Sequence, residues 1–158
     1  TLNPVQGAMI AASVINGGRM PSPYLVSSVT DSEGRSRYEA EPNASLFRPL
    51  DKDTARSLAM IMEHTVTRGT ARKEFRDYNH HPLLSKLFIG AKTGSLSGEK
   101  SAGKYDWFVG FAQSSANPKK KIAYASMIVN RKYWKVKAAH IAREVVIHHF
   151  KDKTGKEL

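Results

Sequence analysis

Leu87-Phe88-Ile89-Gly90-Ala91-Lys92-Thr93 reads as a strand that ends at Gly94-Ser95. Asp106-Trp107-Phe108-Val109-Gly110-Phe111-Ala112 reads as a second, with Trp107, Val109 and Phe111 on one face and Phe108 and Gly110 on the other. Ile122 to Val129 makes a third. The connection between the last two is short and carries Asn117-Pro118-Lys119-Lys120-Lys121, a turn signal, which favours an antiparallel meander. Downstream, Ala138 to Phe150 reads as a helix with Ile141, Ala142, Val145 and Val146 on its apolar side. Upstream, residues 70–84 are polar and mixed, include Asn79-His80-His81-Pro82, and read as a long loop. Before them a helix starts near Asp51 or Asp53, buries Leu58, Ile61, Met62 and Val66, and stops at Gly69. Tyr24 to Val29, turned by Asp31-Ser32-Glu33-Gly34 into a polar strand through Ala40, reads as a surface hairpin. Pro4 to Asn16 opens the chain as a helix with Val5, Ala8, Met9, Ala12 and Ile15 in register, stopped by Gly17-Gly18. Helix, hairpin, helix, three strands, helix is an α+β order: an antiparallel sheet with helices packed on it.

The 158 residues suit one domain, and 41% hydrophobic with 25% charged residues is a globular composition. No apolar run approaches the ~20 residues of a membrane-spanning helix. The chain starts at Thr1, as expected of a processed or excised piece. Cysteine is absent, which removes disulfide scaffolds, thiolate metal sites and cysteine nucleophiles together. Almost all of the net charge of +11 belongs to residues 80–158, where fifteen Lys and Arg face five Asp and Glu. Such a half suits an anionic polymer, but it lacks the arginine–aromatic interleaving of nucleic-acid binders, so no nucleic acid is expected as a partner.

The sharpest chemical feature is Lys92-Thr93-Gly94-Ser95. A lysine ammonium beside a threonine hydroxyl can hold a carboxylate by charge-assisted and neutral hydrogen bonds. Gly94 leaves room for another backbone against the strand, and the Ser95 N–H can face a developing oxyanion. A phosphate loop is excluded, because it needs glycine directly before the lysine and another five residues earlier, where this chain has Ala91 and Lys86. His64, His80, His81, His140, His148 and His149 show no metal-ligand spacing, and neither a metal nor a cofactor is expected. His80-His81 would lie near the strand end only if the 70–84 loop folded over it. Met60 and Met62 read as core, Trp107 as packed on a sheet face, and Trp134 as a surface residue of a basic loop.

These residues run in an order similar to a known family. Thr1-Leu2-Asn3-Pro4-Val5-Gln6, Asn16-Gly17-Gly18, Pro23-Tyr24-Leu25-Val26, Gly69-Thr70-Ala71, Ile89 to Ser95, Asp106 to Ala112 and the last helix together resemble the C-terminal half of the transpeptidase domain of penicillin-binding proteins, especially the class B type. Ala91 stands where that family has glycine. The resemblance implies a partial β-lactamase/transpeptidase-like fold. It also implies part of a serine-type D,D-transpeptidase of peptidoglycan synthesis. Its partners would be stem peptides ending in D-Ala-D-Ala, β-lactams that mimic them, and the missing N-terminal half of the domain. Location would be extracytoplasmic, with the membrane anchor outside this chain. By position, Lys92 and Thr93 would bind the substrate carboxylate, Gly94 would keep the cleft edge open, and the Ser95 N–H would serve the oxyanion. Family sheets include strands from the missing half, which would leave an exposed edge on Ile122–Val129.

The family also needs Ser-x-x-Lys and then Ser-x-Asn before Lys-Thr-Gly. Neither precedes Lys92. Ser97-Gly98-Glu99-Lys100, Ser101-Ala102-Gly103-Lys104 and Ser115-Ala116-Asn117 follow it, but the first two read as loop and the third as a hairpin turn. The nucleophile is therefore expected outside these residues, and this chain alone is expected to be inactive. The rival reading is a non-catalytic binding module of the same fold, whose basic half binds an anionic polymer or a partner protein.

Overall fold

The computed structural model describes residues 2–41, 45–97, 103–131 and 135–151. Helix α1 (Pro4–Ile15) begins in a capping box. Asn3 Oδ1 accepts from the Gln6 N–H at 2.9 Å, and Gln6 Oε1 accepts from the Asn3 N–H at 2.9 Å. It closes where Gly18, at φ +90°, donates its N–H to the Ser13 carbonyl at 2.8 Å. Strands β1 (Met20–Pro21), β2 (Ser28–Thr30), β3 (Ser36–Glu39) and β4 (Ser45–Phe47) follow, forming two antiparallel ribbons, β1 with β4 and β2 with β3. The β2–β3 hairpin is exposed throughout, as expected. Its first strand is shorter than the sequence predicts. Tyr24, Leu25 and Val26 are exposed and outside any strand, because no partner ladder is there to use their β propensity. The β1–β4 pairing leaves no pattern in the sequence; both pieces are very short and Pro21 removes a donor.

Helix α2 (Lys52–Thr67) is capped by Asp51, whose Oδ1 accepts from the Thr54 N–H at 2.8 Å. Its buried residues are Ala55, Ala59, Met62 and Val66. Ile61 and Met60, which the sequence pattern places inside, lie outside, since the buried stripe runs through the two alanines that allow close approach. Residues 70–84 are not simply a polar loop. Ala71, Phe75, Leu83 and Leu84 are buried in it, and a short 3₁₀ turn (Leu84–Lys86) leads into the sheet.

The sheet is an antiparallel meander of β5 (Leu87–Ser97), β6 (Lys104–Ser114) and β7 (Lys121–Asn130), in that spatial order. Helix α3 (Ala138–Phe150) has the predicted bounds. The register pairs Ile89 with Ala112 and Phe108 with Ser126, so the face carrying Leu87, Ile89, Ala91, Phe108 and Tyr124 is continuous. That face packs on α3 and on the 71–84 segment in one core, with Phe75, Phe108 and Tyr124 in series at ring separations of 6.1 Å. Tyr78 ties the segment down by donating its hydroxyl to the Leu87 carbonyl. The other face carries Phe88 and Phe111, which meet Val14, Ala59 and Met62 from α1 and α2. Lys121 Nζ reaches the Ile15 carbonyl at the end of α1, a favourable place for a cation.

The faces of α1 and α3 likewise differ from the expected stripes. On α1, Gly7, Ala11 and Val14 are buried and Val5 is exposed. A Cβ on Gly7 would stand 3.2 Å from Ala125 Cβ and 3.3 Å from Val109 Cγ2, so the helix lies against the sheet at its glycine. On α3, Ala138, Ala139, Ala142, Val146, Ile147 and Phe150 are buried, whereas Ile141 and Val145 are largely exposed. The start of α3 has no side-chain cap of its own. The buried Asp106 of β6 supplies one, Oδ2 accepting from the Ala138 N–H at 2.9 Å.

Candidate functional site

Strand β5 is buried as far as Ala91 and then emerges; Lys92 and Ser95 are exposed, Thr93 and Gly94 half-buried. Here α1 and α3 lie over β6 and β7, Gly7 against Val109 and Ala125 and Ala138 against Asp106 and Ser126, while β5 stays paired to β6 through Ser97 and Lys104. The projecting end carries side chains on both faces. Lys92 and Gly94 share the α1–α2 face, and Thr93 and Ser95 the α3 face.

The Lys92 ammonium bends back to donate to the Thr93 carbonyl at 2.6 Å. The Thr93 and Thr70 hydroxyls are hydrogen-bonded at 2.8 Å. The sequence alone does not mark Thr70 as a site residue. Its place directly after α2, in Gly69-Thr70-Ala71, is the signal that brings it here. Gly94 has ordinary contact, 3.4 Å from a hypothetical Cβ to Trp107 Cβ, and nothing closer. β5 is an edge of the sheet, so one side of its backbone is unpaired among the described residues. Across the α1–α2 face at this end of the sheet lies an open groove of roughly 810 Å³, whose walls include Lys92, Gly94, Leu96, Trp107, Val109 and Met127. Ammonium, hydroxyl and free strand edge are the groups with which a strand end can hold an extended chain bearing a carboxylate.

The four predicted residues thus line one groove. The other candidates do not join them. Ser115-Ala116-Asn117 sits in the β6–β7 turn, at the end of the sheet where Leu87 pairs with Ser114, opposite to Lys92. There Asn117 works in the turn: its N–H donates to Ser114 Oγ and its Oδ1 accepts from the Lys119 N–H, both at 3.2 Å. Ser97 closes β5 and Lys104 opens β6, but residues 98–102 between them, and Trp134, lie outside the described residues. His81 accepts the Leu83 and Leu84 N–H groups on Nδ1 and so shapes the entry to β5; neither it nor His80 lines the groove. Among the described residues no three His, Asp or Glu side chains come together as metal ligands, and no helix is long and apolar enough to cross a membrane.

Comparison with known proteins gives a consistent answer. The family model for the penicillin binding protein transpeptidase domain matches residues 1–146. Penicillin-binding protein 1A of Neisseria lactamica is 33% identical over 99 residues, 61% of this chain and 11% of that protein. The Neisseria gonorrhoeae protein of the same name is 29% identical over 111 residues, 68% of this chain and 12% of that protein. The chain therefore spans about a tenth of the length of these relatives. Among solved structures, penicillin-binding protein A from M. tuberculosis, as an imipenem acyl-enzyme complex, superposes with a TM-score of 0.70 at 25% identity, covering 92% of this chain and 30% of that one. The D,D-transpeptidase domain of a peptidoglycan glycosyltransferase from Eggerthella lenta gives 0.63 at 23% identity, over 89% and 31% of the two chains. The helices and antiparallel sheet described above are thus those of the β-lactamase-like fold of such domains. By the extent of the family match, this chain belongs to the penicillin-binding protein transpeptidase domain family.

Proposed function

We propose that residues 1–158 are the C-terminal part of a D,D-transpeptidase domain of peptidoglycan synthesis, and that they carry its substrate-carboxylate site. The observation that carries this reading is the Lys92 ammonium and Thr93 hydroxyl at an unpaired strand edge, where the adjoining sheet face opens into a groove, in a chain of this family. An extended stem peptide ending in D-Ala-D-Ala adds along residues 92–96 as a further strand. Its terminal carboxylate meets Lys92 Nζ and the Thr93 hydroxyl, which must exchange their present partners for it. Gly94 leaves the edge clear, and the Ser95 N–H is one oxyanion donor.

The attacking serine comes from a part of the domain outside these residues, because no Ser-x-x-Lys precedes Lys92. Its oxygen bonds to the penultimate carbonyl carbon, the peptide bond breaks, and D-alanine leaves with a proton. An acceptor amine then displaces the serine to form the cross-link. A β-lactam presents its carboxylate and acyl carbon in the same relation and stops at the acyl-enzyme. The reaction takes place outside the cytoplasmic membrane, where peptidoglycan is assembled.

The test is intact mass after incubation with benzylpenicillin. The chain alone should gain nothing. Fused behind a family N-terminal part that contains Ser-x-x-Lys and Ser-x-Asn, it should gain one penicilloyl group. In that fusion Lys92→Ala should slow acylation by about 10- to 1,000-fold, the range for losing a charged hydrogen bond to the reacting ligand. An adduct on the isolated chain, or acylation indifferent to Lys92, overturns the reading.

A further inference from the structure

A second charged groove lies on the opposite side of the sheet, between the 71–84 segment and the start of α3. It is open, of roughly 670 Å³, and takes in Lys73, Arg76, Lys135, Lys137, His140 and Arg143, with Glu74 and Asp77 on the same wall. A smaller hollow of roughly 540 Å³, lined by Thr67, Arg72, Lys73 and Arg76, continues it. Lys73 and Arg76 belong to both hollows, so the two form one strip.

The charges in the strip divide into a frame and a free set. Arg143 is the frame. Its side chain is only 15% exposed, and it donates to Asp77 Oδ2 at 2.6 Å and to Glu144 Oε1 at 2.7 Å, pinning the segment to α3. That pair consumes one of the two wall carboxylates. Arg72, Lys73, Arg76 and Lys135 are exposed and make no ion pair or side-chain hydrogen bond among the described residues. Four unsatisfied cations held on a fixed wall, against one remaining carboxylate, set up a field that concentrates anions.

We propose that this strip binds a flexible polymer of phosphate groups. Its lining argues against other occupants. Among the described residues Val136 is its one apolar wall residue, too little to anchor a protein's hydrophobic hot spot. A single phosphate would leave most of the two hollows empty, whereas a chain of linked phosphates engages Lys135, Lys73, Arg76 and Arg72 in turn and gains by multivalency. Arginine forks at 72 and 76 suit phosphate oxygens bidentately. Duplex DNA is a stiff rod that spans such hollows without entering them, and among the described residues no Phe, Tyr or Trp side chain lines the strip to stack on a base. The strip stands apart from the Lys92 groove and does not depend on the function proposed for it.

The experiment is titration of the chain with long-chain inorganic polyphosphate at low and at physiological salt. Orthophosphate at equal total phosphate, a glycerol-phosphate oligomer and a DNA duplex form parallel arms. Polyphosphate should bind with an affinity that falls steeply with salt, and orthophosphate should not bind measurably. Whichever of the polyphosphate and glycerol-phosphate arms binds tighter identifies the backbone preferred. Lys73→Glu with Arg76→Glu should weaken binding at least about tenfold, and Lys73→Arg should retain it. Lys86→Glu with Lys119→Glu removes as many exposed cations away from the strip and should change affinity less than about twofold. Equal losses in the two Glu pairs would mean that net charge alone attracts the polymer, and duplex DNA binding as tightly as polyphosphate would mean that chain flexibility plays no part. Either result overturns the proposal, as does failure of every polymer to bind.

Discussion

A Cβ built on Gly90 would lie 2.4 Å from the Phe111 ring, while one built on Gly94, four residues along the same face, would find only Trp107 Cβ at 3.4 Å. The first glycine is therefore needed for packing, because the ring that joins the α1–α2 core lies directly over it. The second is not. Gly90→Ala should destabilise the chain by about 1–3 kcal/mol through overpacking. Gly94→Ala should leave thermal stability nearly unchanged while placing a methyl group in the groove beside Lys92. Melting curves of the two variants check this, and a large loss for Gly94→Ala would show that its role is structural. The distinction explains how the candidate site was legible in sequence. Lys92-Thr93-Gly94-Ser95 is contiguous and sits at a strand end, so its chemistry survives without knowledge of the fold. Thr70 escaped because its hydroxyl meets Thr93 only once α2 has packed on β5.

At the level of elements, α3 depends on a residue of another strand. Its own N-terminal position is Lys137, which provides no side-chain cap, and the Ala138 N–H would be a buried donor without Asp106. Asp106→Ala should cost about 1–3 kcal/mol, the penalty for a lost cap and an unsatisfied buried N–H. Asp106→Asn keeps an acceptor oxygen and should lose distinctly less. Equal losses measured by denaturant unfolding would remove the cap as the cause. The same element shows where periodicity stopped being informative. The bounds of α3 followed from its apolar content, yet Ile141 and Val145 face outward, while Ala138, Ala139 and Phe150 face the sheet. Several apolar residues offered more than one plausible stripe, and the closer-packing one won. On α1 the deciding residue was Gly7, invisible to a hydrophobicity pattern but able to bring the helix onto Val109 and Ala125. Phe75, Leu83 and Leu84 were likewise hidden in a polar stretch, since their burial is long-range and leaves no periodic trace.

Across the whole molecule, charge and edges are arranged in ways that a linear sum does not reveal. The sequence puts nearly all net positive charge after residue 80, yet the second groove draws Arg72, Lys73 and Arg76 from the half that is almost neutral. Folding gathers side chains by surface, not by position in the chain. The sheet follows the same logic. Three strands in the order β5-β6-β7 leave two edges unpaired among the described residues, and β7 is ten residues long with Met127 and Val129 partly exposed on one of its faces. An edge of that length invites another strand. Lys121 and Arg131 at its ends discourage pairing only there. If this chain is part of a larger domain whose sheet continues past β7, the outward amides of residues 121–130 should exchange hydrogen quickly in the isolated chain. They should slow by at least about 100-fold when the chain is fused to the preceding part of such a domain, because a strand ladder ties local opening to unfolding of the sheet. The β6 amides, already paired on both sides, serve as the internal reference and should be slow in both. Equal and rapid exchange of β7 in the fusion would mean that the sheet ends at this strand and that the rest of the domain docks elsewhere.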